Sequence, residues 1–206
     1  MLPPCIVAIG ASSFFGRVDP EGGGFVGRLK TWHESNHRKN RVYNLGISSE
    51  TTADFLKRLT LECIPRKPDL IILAASSNDT RHRGSPEAPC EISLDQYSQN
   101  LHKLIQQGKS FCPVLVIIGS PIDEARTKPV VGTDKNFKLD DFKTYFTAAR
   151  TICNEENVQY LDIFSEWILT DYHRWLWDDG LHPNALGHQK IFESLKKYLL
   201  THFDAK

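Results

Sequence analysis

Two runs of apolar residues, Leu70-Ile71-Ile72-Leu73-Ala74-Ala75 and Val114-Leu115-Val116-Ile117-Ile118, carry no polar position. A strand that turns one face to water alternates in polarity, whereas a strand that is apolar end to end is covered on both faces. The runs stop at Ser76-Ser77-Asn78-Asp79 and at Gly119-Ser120-Pro121. Between them Tyr97, Leu101, Leu104 and Ile105 repeat with helical spacing, behind a capping pattern of Ser93 and Gln96. Buried strand, helix and buried strand in succession describe a parallel sheet with helices on both faces.

The rest of the chain continues the alternation. Cys5 to Ile9 reads as a first strand, Arg41 to Leu45 as a second and Val158 to Leu161 as a short fifth. Phe25, Leu29 and Trp32 mark a helix after a glycine-rich loop from Gly16 to Gly24. Phe55, Leu56, Leu59 and Cys63 mark the next, capped by Thr51 with Asp54 and closed by Pro65 and Pro68. Helices from about Leu139 to Asn154 and from about Asn184 to His202 follow. Thr80 to Glu91 reads as a polar loop. The charged connection from Ile122 to Asn136 is long, and long connections are often functional. With no repeat and no linker, the expectation is one domain over residues 1–206.

Composition excludes several classes. The 206 residues are 40% hydrophobic and 24% charged with zero net charge, which argues against a general nucleic-acid binder. No stretch approaches the roughly 20 apolar residues of a membrane span, and the N-terminus has no signal-peptide pattern. The five cysteines are scattered and odd in number, with no Cys-x-x-Cys pair. A disulfide framework and a zinc site are therefore not expected, and a reducing cytoplasmic setting is. His173, His182 and His188 show no metal-ligand spacing, so no metal is expected.

Chemistry in a parallel sheet collects beyond the carboxyl ends of the strands. Polar clusters stand there at Ser12-Ser13, at Gly46-Ile47-Ser48-Ser49 and at Ser76-Ser77-Asn78-Asp79. Near the other end of the chain, Asp179 precedes His182 by three residues; Gly180 permits a tight bend and Pro183 suits the entry to the last helix. A hydroxyl needs an adjacent base to become a nucleophile. His182 can take the proton of a serine while Asp179 orients the ring. The N–H groups of Ser12 and Gly46 and the Asn78 amide are candidate oxyanion donors. Ser13 is the rival nucleophile, and Asp178 reads as a solvated neighbour.

These blocks, in this order, resemble the SGNH hydrolase family, also called GDSL-type esterases and lipases, over nearly the whole chain. Ile9-Gly10-Ala11-Ser12 stands where the family has Gly-Asp-Ser. Asn44-Leu45-Gly46 resembles the block with an oxyanion glycine, Ser76-Ser77-Asn78-Asp79 resembles Gly-x-Asn-Asp, and Asp179-Gly180-Leu181-His182 matches Asp-x-x-His. The resemblance implies catalysis by Ser12, Asp179 and His182 and an oxyanion hole of Ser12, Gly46 and Asn78. It also implies a three-layer α/β/α, flavodoxin-like fold with a five-stranded parallel sheet and hydrolysis of carboxylic esters without a cofactor. Two departures, Ala11 for aspartate and Ser76 for glycine, leave room for a slow enzyme, an altered substrate or a ligand-binding module on the same scaffold. A nucleotide-binding doubly wound domain is the weaker alternative, since the glycine loop lacks both Gly-x-Gly-x-x-Gly and the P-loop lysine.

Three further residues are candidates for substrate contact, beside the readings of a solvated loop for Arg81 and of core packing for the aromatic residues. Arg81, in Thr80-Arg81-His82-Arg83, suits an anionic group; Phe14 and Trp177, with Phe15 and Trp175 near them, suit an acyl pocket. No large lid is evident, so the expected partner is a small or water-soluble ester.

Overall fold

The computed structural model describes residues 2–203. In chain order the elements are β1 (Cys5–Gly10), α1 (Ser12–Phe15), α2 (Gly24–Asn36), β2 (Arg41–Gly46), α3 (Thr52–Arg66), β3 (Leu70–Ala74), β4 (His82–Arg83) and α4 (Leu94–Lys109). They continue with β5 (Val114–Ile118), β6 (Lys135–Asn136), α5 (Leu139–Glu155), β7 (Gln159–Asp162), α6 (Ile163–Trp167) and α7 (Ala185–His202).

Five strands form one parallel sheet in the order β2-β1-β3-β5-β7, the flavodoxin-like order, with helices on both sides. Right-handed crossovers dictate the layers. The chain moves one way from β1 to β2 and the other way thereafter, so α2 and α7 pack together on one face while α3, α4 and α5 cover the other. β3 and β5 are buried at every position, as their unbroken apolar runs require. Each fully buried aliphatic side chain in these strands contributes about 1.5–3 kcal/mol.

The strand order reverses between β1 and β3, and ligands of open α/β sheets bind at such a switch point. Register makes that edge level. Gly10 pairs with Gly46 and Ile9 with Leu73, so the loops after β1, β2 and β3 emerge side by side.

Helix boundaries follow local chemistry. Thr51 and Asp54 form the expected capping box on α3. Pro65 does not close that helix. It lies inside the last turn, where its missing N–H removes one hydrogen bond only; the helix stops at Lys67, at φ +48, whose N–H bonds Cys63 O at 2.9 Å. Pro183 sits one residue ahead of the α7 cap, which is Asn184, with its Oδ1 accepting the Gly187 N–H at 2.9 Å. Such a cap stabilises a helix by ~1 kcal/mol.

The stretch read as a polar loop from Thr80 to Glu91 is partly interior. Thr80, Arg81 and His82 are buried, and β4 pairs antiparallel with β6. Burial is tolerated because the polar groups find internal partners, for example Thr80 Oγ1 on Ser77 O at 2.9 Å. The small sheet ties the long connection before α5 to the loop carrying Asn78. All five cysteines are unpaired, and no described helix is long and apolar enough to cross a membrane.

Candidate active site

Ser12 opens α1 directly beyond β1, and His182 stands on the loop before α7. The fold brings them together: the Ser12 hydroxyl lies 2.8 Å from His182 Nε2. The other ring nitrogen, Nδ1, donates to Asp179 Oδ2 at 2.6 Å. Asp179 Oδ1 accepts the N–H groups of Leu181 at 2.9 Å and of His182 at 3.0 Å, so one carboxylate fixes both the ring and its loop. Gly180 makes the bend at φ +70, and a Cβ there would lie 2.7 Å from the Arg126 side chain. Burial acts to raise the Asp179 pKa, but its hydrogen bonds with His182 and Leu181 outweigh it and hold the carboxyl down at about 2. The three side chains have the geometry of nucleophile, base and orienter. Ser13 makes no bond to His182 among the described residues.

The donors facing Ser12 differ in part from expectation. Asn78 lines the same cleft as Ser12 and His182. One of its amide protons goes to Glu50 O at 2.9 Å, leaving the second for a ligand. Gly46 does not line the cleft. Its N–H donates to Asn44 Oδ1 at 3.0 Å, and its α-carbon is pressed against the backbone of Phe15. A donor already engaged in a turn is not free to bind an oxyanion. Ser49 lines the cleft in its place, at φ +70, and its N–H has no partner among the described residues. The sequence placed Ser49 in the polar cluster after β2, but residue type alone favoured the glycine. Only the backbone angle distinguishes the two.

The cleft has a volume of about 490 Å³. A second cavity of about 50 Å³ also touches Ser12; its wall includes Phe14, Phe25, Ile117, Ile163 and Ile191 together with Ala11 and Ser76.

The profile of the GDSL-like Lipase/Acylhydrolase family matches residues 8–190. The chain belongs to this family. Membership makes it a carboxylic ester hydrolase of the SGNH type. Its relatives include an acetylxylan esterase of Geobacillus stearothermophilus, 26% identical over 84% of this chain and 83% of the relative. An arylesterase of Vibrio mimicus is 28% identical over 78% of this chain and 70% of its own length. The crystal structure of a lipase/acylhydrolase from Enterococcus faecalis superposes with a TM-score of 0.77 at 22% identity, covering 98% of this chain and 97% of that one, which shows the shared fold.

The other expected contacts divide in this GDSL-like hydrolase. Trp177 lines the large cleft and is 44% exposed at its mouth. Phe14 is buried edge-on against Phe25, with centroids 4.9 Å apart, and forms a wall of the small cavity. Phe15 is exposed, and Trp175 is core, packed on Trp167 at 4.8 Å. Arg81 does not line the cleft. Its guanidinium is 2% exposed and grips Glu91 through two bonds of 2.6 Å, while Nη1 reaches Ser49 O at 3.3 Å. A guanidinium so engaged is a strut beneath Ser49, not a contact for substrate. The long connection before α5 supplies Val130, Val131, Thr133, Lys135 and Phe137 to the cleft, and the turn after α1 supplies Arg17 and Val18. Sequence length flagged that connection without identifying its residues.

One group, His82, Cys90 and Asp141, brings potential metal-ligand atoms within 4.8 Å of one another. It lines neither cavity, and hydrogen bonds account for the ring: Nδ1 meets Ala88 O at 2.5 Å and Nε2 meets Asp141 Oδ2 at 2.8 Å.

Proposed function

We propose that this family member hydrolyses short-acyl, small or water-soluble carboxylic esters through an acyl-enzyme on Ser12. The observation that carries this reading is the 2.8 Å approach of Ser12 Oγ to His182 Nε2, with Asp179 behind the ring. Ser12 Oγ attacks the carbonyl carbon as its proton passes to His182 Nε2. Negative charge moves to the carbonyl oxygen, where the N–H groups of Ser12 and Ser49 and the free Asn78 amide proton receive it. The ester C–O bond then breaks, and His182 gives its proton to the leaving alcohol. Water attacks the acyl-enzyme while His182 accepts a proton from it. Return of that proton to Ser12 Oγ releases the acid.

The small cavity sets the acyl preference. About 50 Å³, walled by apolar side chains and by Ser13, Ser76, Ser77 and Ser120, suits an acetyl-sized group better than a long chain, while the larger cleft takes the alcohol part. Ala11 and Ser76 border the small cavity, so the two departures from the family pattern bear on acyl fit. Unpaired cysteines are in keeping with a reducing cytoplasmic setting.

The test is a fluorophosphonate probe combined with a p-nitrophenyl ester series. Labelling and acetate-ester turnover are expected in the wild type and absent in Ser12→Ala, with rates falling steeply beyond short acyl chains. A folded wild type that takes no label would return the chain to a ligand-binding role.

A further inference from the structure

The large cleft segregates its charges by element. Arg17, on the turn after α1, and Lys135, on β6, supply its cations; Asp178 and Asp179 stand together on the loop that carries His182. Asp179 is committed to His182. Other cations nearby are paired: Arg81 and Arg83 with Glu91, Arg28 with Asp19. Arg17 and Lys135 form no ion pair among the described residues, and Asp134, the carboxylate next to Lys135, lies 3.7 Å from Arg83 Nη1.

Lys135 is held at its ammonium, whereas Arg17 is held at its backbone and its side chain is exposed. Lys135 Nζ donates to Ser49 Oγ at 3.0 Å, beside the proposed oxyanion position. It is half-buried, and burial, followed by the charges of Arg81, Arg83 and Arg17, lowers its pKa from the ordinary lysine value against the opposing charge of Asp134. An ammonium in that company is relieved by an incoming anion. Arg17 is fixed through its backbone, where the carbonyl meets the buried His188 Nε2 at 3.2 Å. The next residue, Val18, stands at φ +61, a region that β-branched residues avoid and that persists only where the surroundings impose it. Asp19 helps impose it by accepting the N–H groups of Gly22 and Gly24 and pairing with Arg28.

We propose that the alcohol part of the substrate carries an anionic oxygen acid, a carboxylate or a phosphate, gripped by Arg17 and Lys135 across the mouth of the Ser12 cleft. Guanidinium and ammonium groups bind either anion through charge-assisted hydrogen bonds. The inference rests on the ester-hydrolase reading of Ser12 and adds a substrate class to it.

Three acetyl esters test it: 4-acetoxybenzoate, 4-acetoxyphenyl phosphate and the neutral methyl 4-acetoxybenzoate. The readout is the ratio of kcat/KM for each anionic ester to that for the neutral one. In Arg17→Gln and in Lys135→Gln the ratio is expected to fall about 10-fold, mainly through KM, as one charge-assisted bond is lost. In the wild type it is expected to fall with added salt. The anion with the larger drop is the one the site is built for. A ratio unchanged in both variants overturns the inference and leaves the esterase reading intact. A wild type that cleaves none of the three removes the esterase reading and this inference with it. The neutral ester reports that each variant is folded, and the ratio is internal to each protein.

Discussion

The Gly46 N–H donates to the Asn44 side chain at 3.0 Å, and Asn44 Nδ2 donates onward to Phe14 O at 2.8 Å. Gly46 is therefore where β2 supports the helix that carries Ser12. A Cβ at this position would lie 2.2 Å from the Phe15 nitrogen. Gly46→Ala is expected to destabilise the fold by about 1–3 kcal/mol through overpacking, read as a lower denaturant midpoint. Ser49→Gly, at a backbone angle that favours glycine, is expected to cost no stability and to keep kcat within about 3-fold, since the N–H remains. Asn78→Ala is expected to lower kcat about 100- to 1,000-fold. A large loss of kcat in Ser49→Gly would show that the Ser49 hydroxyl, which accepts from Lys135 Nζ at 3.0 Å, and not the N–H alone, supports turnover.

Asp179 holds His182 through its ring and its backbone at once. Asp179→Asn keeps the shape but not the charge, and kcat is expected to fall about 10,000-fold with KM little changed. The folded carboxyl titrates at about 2, below the ordinary value of 3.8. Its stabilising contribution is therefore complete above pH ~4 and lost only as pH falls towards 2. Circular dichroism of the wild type and of Asp179→Asn across that window checks the sign: the gap between them should close on the acid side.

What the sequence revealed follows from the physics of each signal. Leu70–Ala74 and Val114–Ile118 announced buried parallel strands because burial on both faces leaves no room for polar residues. Asp179 and His182 were legible because Gly180 and Pro183 restrict the backbone between and after them. Ser49 was not, because an αL angle at a serine is imposed by its neighbours and leaves no mark in residue type. Arg81 was misread for a related reason. A guanidinium looks available until Glu91, ten residues away, is folded against it. The cleft walls at Arg17 and Lys135 depend on tertiary placement of loops whose composition resembles solvated surface.

Arg81 gives a separate prediction. Buried and bidentate on Glu91, it also reaches the Ser49 carbonyl. Arg81→Met leaves Glu91 with only the more exposed Arg83, and a loss of about 2–4 kcal/mol is expected. Because Ser49 loses its strut, kcat on a neutral ester should fall while KM holds. Arg81→Lys should recover little, since an ammonium cannot reproduce the two-pronged geometry. Denaturant unfolding and steady-state kinetics on one neutral substrate separate this positioning role from the substrate binding expected of Arg17 and Lys135.

His188 predicts how stability responds to acid. Its Nδ1 accepts the Phe25 N–H at 3.3 Å, so the proton sits on Nε2 and points at Arg17 O. Burial holds the ring neutral and lowers its pKa from 6.5 to about 4. Between those values the unfolded chain binds more protons than the folded one, so acid favours unfolding. The contribution is whole above pH 6.5 and is lost as pH falls through 4, on the order of 3 kcal/mol. Asp79 acts the other way, because burial lifts its carboxyl from 3.8 to about 6 despite its bonds to Thr52. Over much of the same window it is the folded chain that binds the extra proton. The wild-type profile should therefore be shallow from pH 7 to about 4.5. His188→Gln, which can still accept from Phe25 and donate to Arg17, should gain stability on acidification, and Asp79→Asn should lose it more steeply than the wild type. Urea midpoints at both pH values measure all three, and parallel changes in wild type and His188→Gln would refute the neutral buried ring.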